Sequence, residues 1–192
     1  MPICFATAAA RTVFAIASGI VPYFWGFSKL FHFFLSFLYT RDMNFQENIS
    51  LAPYSCFRIG GKARFFLSLE EKSDLGKAVL FAQEKNIPLL PLGGGPNILF
   101  SDKGFEGVIL HFSQRSRSFL SEKTTADSHF FEVSAGTPMS LFFRFTRDHE
   151  ADFSALSTIP GTVGGAVFGN AGIPQYEIGD FVESVEVFDI SQ

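Results

Sequence analysis

Cysteine is scarce in this chain of 192 residues, and its two cysteines, Cys4 and Cys56, cannot build a disulfide framework. A reducing compartment is therefore the simpler expectation. Basic charge is also in short supply: the formal net charge is −4, so we expect no nucleic-acid partner. The four histidines are scattered without the spacing of metal ligands, and we expect no metal site.

Charged residues make up only 18% of the chain and hydrophobic residues 47%, a balance that excludes a disordered or low-complexity protein. The 17 glycines and 9 prolines follow no repeating period, which excludes a fibrous protein. What the chain has in excess is phenylalanine, with 26 residues. Its length suits one ordinary domain, or two small subdomains that share a core.

Residues 1–42 differ from the rest because they carry few charges and many apolar side chains. Their charged residues are Arg11, Lys29, Arg41 and Asp42. The stretch from Thr12 to Thr40 approaches the roughly 20 apolar residues that a membrane-spanning helix needs, but glycines, a proline and Lys29 interrupt it.

Three interpretations of residues 1–42 stay open. The segment is a membrane or interfacial anchor, a targeting peptide, or upstream sequence read as protein, with translation starting at Met43. We favour the last, because a composition typical of soluble proteins begins at Met43. We then expect a cytoplasmic protein, membrane contact only if this segment is real, and helices laid loosely on a complete body.

The body, residues 43–192, is expected to have an α+β fold. Composition and alternation predict strands at 64–69, 88–92, 98–100, 107–112, 129–134 and 181–189. Helices are expected from Ser73 to about Lys85, from Thr137-Pro138 to about Glu150, and briefly from Thr162. The polar stretch 113–128 is expected to be a surface connection that divides subdomains at about 54–112 and 129–192.

Two glycine-rich stretches carry the chemistry. Gly93-Gly94-Gly95-Pro96-Asn97 lies between two apolar stretches, and its glycines allow backbone N–H groups to approach an anion. It is neither a Walker loop nor a G-x-G-x-x-G turn. The alternative is an ordinary glycine-rich hairpin loop.

The second stretch runs from Ser157 to Ala166 and contains Pro160-Gly161 just before a short helix. Such a helix N-terminus is expected to offer free N–H donors and the positive end of the helix dipole. Glycines packed against a sheet are the alternative. Two anion-type loops about 65 residues apart suggest a dinucleotide held between two subdomains.

The order of five motifs resembles one family. The motifs are YSCFRIGG (54–61), PLGGGPNILFSDKGFEGVIL (91–110), SAGTP (134–138), LSTIPGTVGGAVFGNAG (156–172) and EIGDFVESVEVFD (177–189). Together they resemble the MurB family, the UDP-N-acetylenolpyruvoylglucosamine reductases of peptidoglycan synthesis. The resemblance covers residues 50–190 and implies an FAD-binding domain of the vanillyl-alcohol-oxidase/PCMH type.

The resemblance also implies the site and the reaction. NADPH would reduce FAD, and the flavin would reduce UDP-N-acetylglucosamine enolpyruvate to UDP-N-acetylmuramate. The implied cofactor-binding residues are Gly93, Gly94, Gly95, Pro96, Asn97, Ile98, Ser157, Ile159, Pro160, Gly161, Thr162, Gly164, Gly165, Asn170, Ala171 and Gly172.

No catalytic residue is expected within this chain. In the family, the substrate arginine, the proton donor and a glutamate belong to later segments and a separate substrate domain. We therefore expect a fragment that lacks the C-terminal substrate domain. The alternatives are a non-catalytic FAD-binding remnant and another flavin oxidoreductase of the same fold.

Three departures from the family pattern concern the implied site. Pro96 stands where the family usually has serine, which removes a hydroxyl and a backbone N–H from the first loop. Thr158 stands where glycine is usual, and Ile173-Pro174-Gln175-Tyr176 replaces a typical Ala-Tyr-Gly segment.

Overall fold

The structure is a computed structural model that describes six stretches of the chain. They are residues 3–5, 43–71, 73–112, 120–124, 129–149 and 151–188. These stretches contain ten β-strands and three α-helices.

The first strand, β1 (Ile3–Phe5), pairs in parallel with the last, β10 (Val182–Val185). The expectation of helices throughout residues 1–42 is therefore wrong at positions 3–5, and the other residues of that segment lie outside the described stretches. Within those stretches, every helix is too short or too polar to cross a membrane.

A four-stranded sheet and one helix form the first half of the body. The strands are β2 (Gln46–Ser50), β3 (Lys62–Leu69), β4 (Leu89–Leu92) and β5 (Phe105–Phe112), and α1 (Ser73–Glu84) links β3 to β4. The order across the sheet is β2-β3-β5-β4, and all strands but the antiparallel β2 run parallel. The loop after β4 thus leaves from the carboxyl edge of the parallel strands, where such sheets bind ligands.

The apolar pattern of the sequence accounts for this half. In β5 the consecutive residues Val108, Ile109 and Leu110 are fully buried, as in a strand covered on both faces. The predicted apolar face of α1 is confirmed, because its buried residues are Leu75, Ala78, Val79 and Ala82.

The second half contains short strands and two helices around an aromatic core. Its elements are β6 (Leu120–Thr124), β7 (His129–Val133), α2 (Met139–Asp148), α3 (Val163–Phe168), β8 (Gly172–Ile173), β9 (Tyr176–Glu177) and β10. The pairs β6–β7 and β8–β9 are antiparallel. Phe131 is fully buried at the centre of a core that includes Met139, Phe142, Leu156 and Ile178.

The structure corrects four of the sequence-based elements. Residues 98–100 form no strand. The apolar pattern there reflects the burial of Phe100 in the core of the first half. Only the first residue of the last predicted strand, Phe181, belongs to a 3-10 helix (Ile178–Phe181), and β10 already ends at Val185, so it is shorter than expected. Part of the predicted surface connection is β6, and β2 was missed because four of its five side chains are exposed and show no alternation.

Candidate functional site

The first glycine loop, Gly93–Asn97, follows β4 directly and needs glycine at its centre. Gly95 is buried and has a φ of 69°, in the left-handed region that favours glycine. A Cβ added to Gly95 would collide with the carbonyl oxygen of Tyr54. Gly94 and Asn97, in contrast, are exposed. The loop therefore packs on its inner side and presents backbone on its outer side.

Tyr54, Ser55 and Cys56 support this loop from within, a role that sequence reasoning missed. The hydroxyl of Ser55 donates to the carbonyl oxygen of Ile98 at 2.9 Å. The backbone N–H of Cys56 donates to the carbonyl oxygen of Gly95 at 3.3 Å. The first family motif therefore holds the loop at its centre and just beyond its end, and Ser55 is buried beneath it.

The second glycine stretch lies directly against the first. A Cβ added to Gly94 would lie 2.8 Å from the Cα of Gly161, and one added to Gly161 would lie 2.9 Å from Cγ of Pro96. A Cβ on Gly93 would collide with the hydroxyl of Thr162. We call this contact of Gly93–Asn97 with Gly161–Thr162 the glycine junction. It brings together two loops that the sequence separates widely.

The N-terminus of α3 does not present the free donors expected of it. Its first two N–H groups donate to the carbonyl oxygens of Thr137 and Ala135, each at 2.9 Å. The third donates to the hydroxyl of Thr162, the N-cap residue, at 3.4 Å. Long-range backbone contacts therefore use the donors that a free helix end would offer to an anion.

The free donors lie instead in the glycine junction. Among the described residues, none accepts a hydrogen bond from the backbone N–H of Gly94, Asn97 or Gly161. Neither loop of the junction contains a carboxylate. Exposed backbone N–H groups, close approach without Cβ atoms and the absence of negative charge in both loops suit a phosphate or pyrophosphate.

Three of the residues implied by the resemblance contribute to packing or to loop support within the protein. Ile159 is buried in the core of the second half. Gly164 is buried against Ala135, whose Cβ would lie 2.7 Å from an added Cβ. Ile98 is half-buried, and its carbonyl oxygen accepts the bond from Ser55. These three residues hold the loops in place.

The other implied residues lie around the junction or apart from it. Pro160 and Gly165 are exposed beside Gly161 and Thr162. Ser157 is exposed in a groove of about 570 Å³ between α2 and residues 151–157, which contains no junction residue. Asn170, Ala171 and Gly172 lie beyond the other end of α3.

His111 is a half-buried titratable side chain next to the first loop, and its Nδ1 atom is buried. Its backbone pairs with Leu92, the residue before Gly93, and its ring contacts Tyr54 and Phe66 with centroid distances of 5.1 and 5.5 Å. The Nδ1 atom has no hydrogen-bond partner among the described residues. Burial therefore lowers the pKa of His111 from its ordinary value of 6.5.

This lowered pKa predicts a pH dependence of stability. Above about pH 6.5 the imidazole is neutral in both states and the folded form keeps its full stability. As the pH falls below 6.5 the unfolded chain takes up the proton first, so the free energy of unfolding decreases until the pH passes the lower folded pKa. We expect H111F, which fits the aromatic surroundings, to lose this decrease. Urea unfolding of both proteins between pH 5 and 8 measures it, and parallel pH profiles would contradict it.

Comparison with known proteins identifies the class to which this site belongs. Residues 63–191 match the family described as FAD binding domain. The match covers well over half of the chain, and the chain belongs to this family of FAD-binding domains, whose cofactor is FAD. Both loops of the glycine junction lie within the matched residues.

The individual proteins that this chain resembles share one name. The chain is 36% identical over 147 residues to the UDP-N-acetylenolpyruvoylglucosamine reductase of Chlamydia felis, which aligns 75% of this chain with 47% of the relative. For the enzyme of the same name from Pseudomonas aeruginosa, the identity is 33% over 149 residues, 77% of this chain and 43% of the relative. These matches confirm the resemblance seen in the motifs. The chain spans about half the length of the curated relatives it matches.

Proposed function

We propose that the glycine junction binds the pyrophosphate of FAD. The observation that carries the proposal is the contact between Gly94 and Gly161, which only two residues without side chains allow. It leaves backbone N–H groups of both loops available to one bridging anion. On this proposal Gly93 to Asn97 and Pro160 to Thr162 touch the cofactor. The remaining implied residues would support the two loops from behind or lie near the flavin ring of the bound cofactor.

Apolar surface beside the junction supports a place for the flavin ring. Phe57 and Leu99 are exposed by 60% and 65%. The hydroxyl of Ser55 accepts from the backbone N–H of Phe57 at 3.2 Å and donates to the carbonyl of Ile98, the residue before Leu99. Exposed apolar side chains near a candidate site are typical of a surface that a flat ligand or another domain covers.

The proposal extends to the subdomain type and to the cellular compartment of the protein. Each half of the body has its own buried core, which supports two subdomains of the vanillyl-alcohol-oxidase/PCMH type. The glycine junction joins the two halves, so a dinucleotide lying on it would contact both. We place this protein in the cytoplasm, where a UDP-sugar substrate and NADPH are available.

The activity that we propose is the one in the names of the relatives. This chain is the FAD-binding portion of a reductase that uses NADPH to reduce UDP-N-acetylglucosamine enolpyruvate. When bound, FAD supplies hydride transfer between nicotinamide and substrate. The described residues contribute binding and orientation: the junction holds the phosphates, and Tyr54 to Cys56 keep the first loop in place.

Two measurements on the full chain test this function. The purified protein should carry flavin absorbance or bind added FAD, and a protein with no affinity for FAD would contradict the proposed site. NADPH oxidation in the presence of the enolpyruvyl sugar nucleotide then tests the reaction. FAD binding without turnover would restrict the function of this chain to cofactor binding.

Pro96 is expected to limit the affinity for FAD, because it is the one residue of the first loop without an N–H. P96A supplies that donor, and a hydrogen bond to a charged group is worth about 1.5–3 kcal/mol, so we expect roughly tenfold tighter binding. P174A removes an exposed proline outside the junction and should leave the affinity unchanged. Fluorescence titration with FAD measures both. Weaker binding by P96A would show that the packing of Pro96 on Gly161 matters more than the donor.

A further inference from the structure

The amide of Asn170 is used at both ends by bonds within the protein. Asn170 lies two residues beyond α3, with a φ of 44°. Its Oδ1 accepts the backbone N–H of Gly179 at 3.1 Å, and its Nδ2 donates to Oε2 of Glu177. Both the oxygen and the nitrogen of the amide are thus engaged within the protein, although the resemblance implies Asn170 as a cofactor-binding residue.

Asparagine is the residue type that these contacts require. It tolerates the left-handed backbone better than most residues, and its amide offers an acceptor oxygen and a donor nitrogen at the same time. An added Cβ on Gly179 would lie 2.6 Å from Oδ1 of Asn170, so a side chain at position 179 would displace the amide. Glu177 is itself fixed by a capping box with Asp180, whose Oδ2 accepts the N–H of Glu177 at 2.9 Å.

These contacts fasten the C-terminal end of α3 to the 3-10 helix 178–181. Next to Asn170, the N–H of Ala171 donates to Ala166 at 2.8 Å, and the N–H of Ile178 donates to Ala171 at 2.9 Å. Ile178 is buried in the core. Because α3 has only six residues, it has little stability of its own and depends on the anchors at its two ends.

The N-terminal anchor of α3 is part of the glycine junction. Thr162 caps the helix and also lies against Gly93. A shift of α3 therefore changes the separation of the two glycine loops, and this separation sets whether N–H groups from both can reach one anion.

We propose that Asn170 is a positioning residue that holds α3, and with it Gly161 and Thr162, in the geometry that binds the cofactor phosphates. It acts through the clamp with Glu177 and Gly179. This inference rests on the proposed FAD site.

The variant N170D tests the clamp because it keeps the shape and removes the donor. The new carboxylate would face Glu177, with Asp180 as the other charged group of that turn. The two carboxylates would repel each other, and neither would supply the donor that joins residues 170 and 177 in the unaltered chain. We expect N170D to bind FAD roughly tenfold more weakly than the unaltered chain at pH 8.

Two further variants separate this role from a general loss of stability. N170D/E177Q supplies an amide donor opposite the new carboxylate and should bind FAD normally at pH 8. N86D places the same charge at another exposed asparagine with positive φ, at the end of α1, and should show no loss. A loss in N170D that E177Q does not rescue, or an equal loss in N86D, would overturn the proposal.

Amide hydrogen exchange tests the clamp without any measurement of FAD binding. At pH 8 the amides of α3 should lose protection in N170D and regain it in N170D/E177Q, with the same comparison for N86D as control. If the unaltered chain bound no FAD, the proposed function would fail while exchange still tested the clamp. Unchanged protection of α3 in N170D at pH 8 would refute the clamp whatever the affinity for FAD.

Discussion

Gly94→Ala should weaken FAD binding about a hundredfold and leave the protein folded. The added Cβ would lie 2.8 Å from the Cα of Gly161, so the two loops of the glycine junction must move apart. Gly94 is exposed, so the movement opens the surface without disturbing a core. Losing one or two hydrogen bonds to a charged phosphate costs about 3 kcal/mol, which corresponds to this factor. Fluorescence titration with FAD measures the affinity, and far-ultraviolet circular dichroism monitors the fold.

Gly76→Ala is the matched control for this variant. Gly76 lies inside α1, and an added Cβ would meet nothing closer than the ring of Phe188 at 3.5 Å. Alanine favours a helix interior over glycine by about 1 kcal/mol, so this variant should unfold at a higher urea concentration and bind FAD as before. If Gly94→Ala bound FAD as tightly as Gly76→Ala, the two loops would not form the phosphate site.

Phe131→Ala is expected to have the largest effect on stability, a loss of about 3–5 kcal/mol. The ring is fully buried and meets the rings of Phe142, Phe145 and Phe153 edge-on at centroid distances of 6.4, 5.9 and 6.1 Å. Since a domain of this size has only about 5–15 kcal/mol in total, the second half should unfold or become loosely packed.

Urea denaturation measures this loss, with Phe168→Ala as the control. Phe168 ends α3 with 59% of its surface exposed, and removing its ring should change the free energy of unfolding by less than about 0.5 kcal/mol. Equal effects of the two substitutions would show that Phe131 is not at the centre of the core.

The sequence predicts the two loops of the site better than what surrounds them. Runs of glycine have a direct physical signature, because positive φ and close approach exclude other residues, as Gly95 and Gly161 show. The helix α1 was equally clear, because its apolar positions recur at helical spacing.

The missed features depend on contacts that leave no local pattern. The bond from Ser55 to Ile98 joins residues 43 positions apart and uses a backbone acceptor. The N–H groups at the start of α3 are taken by carbonyl oxygens of Thr137 and Ala135, and any residue type could supply those. The role of Asn170 was missed for the same reason, since its partners become neighbours only in the folded chain.

Titration of the full chain with FAD tests the central claim most directly. We predict saturable quenching of flavin fluorescence with one FAD per chain, at about hundredfold higher FAD concentration in Gly94→Ala and unchanged in Gly76→Ala. Flavin fluorescence that stays unchanged when the folded, unaltered chain is added would contradict the assignment of the glycine junction as an FAD site.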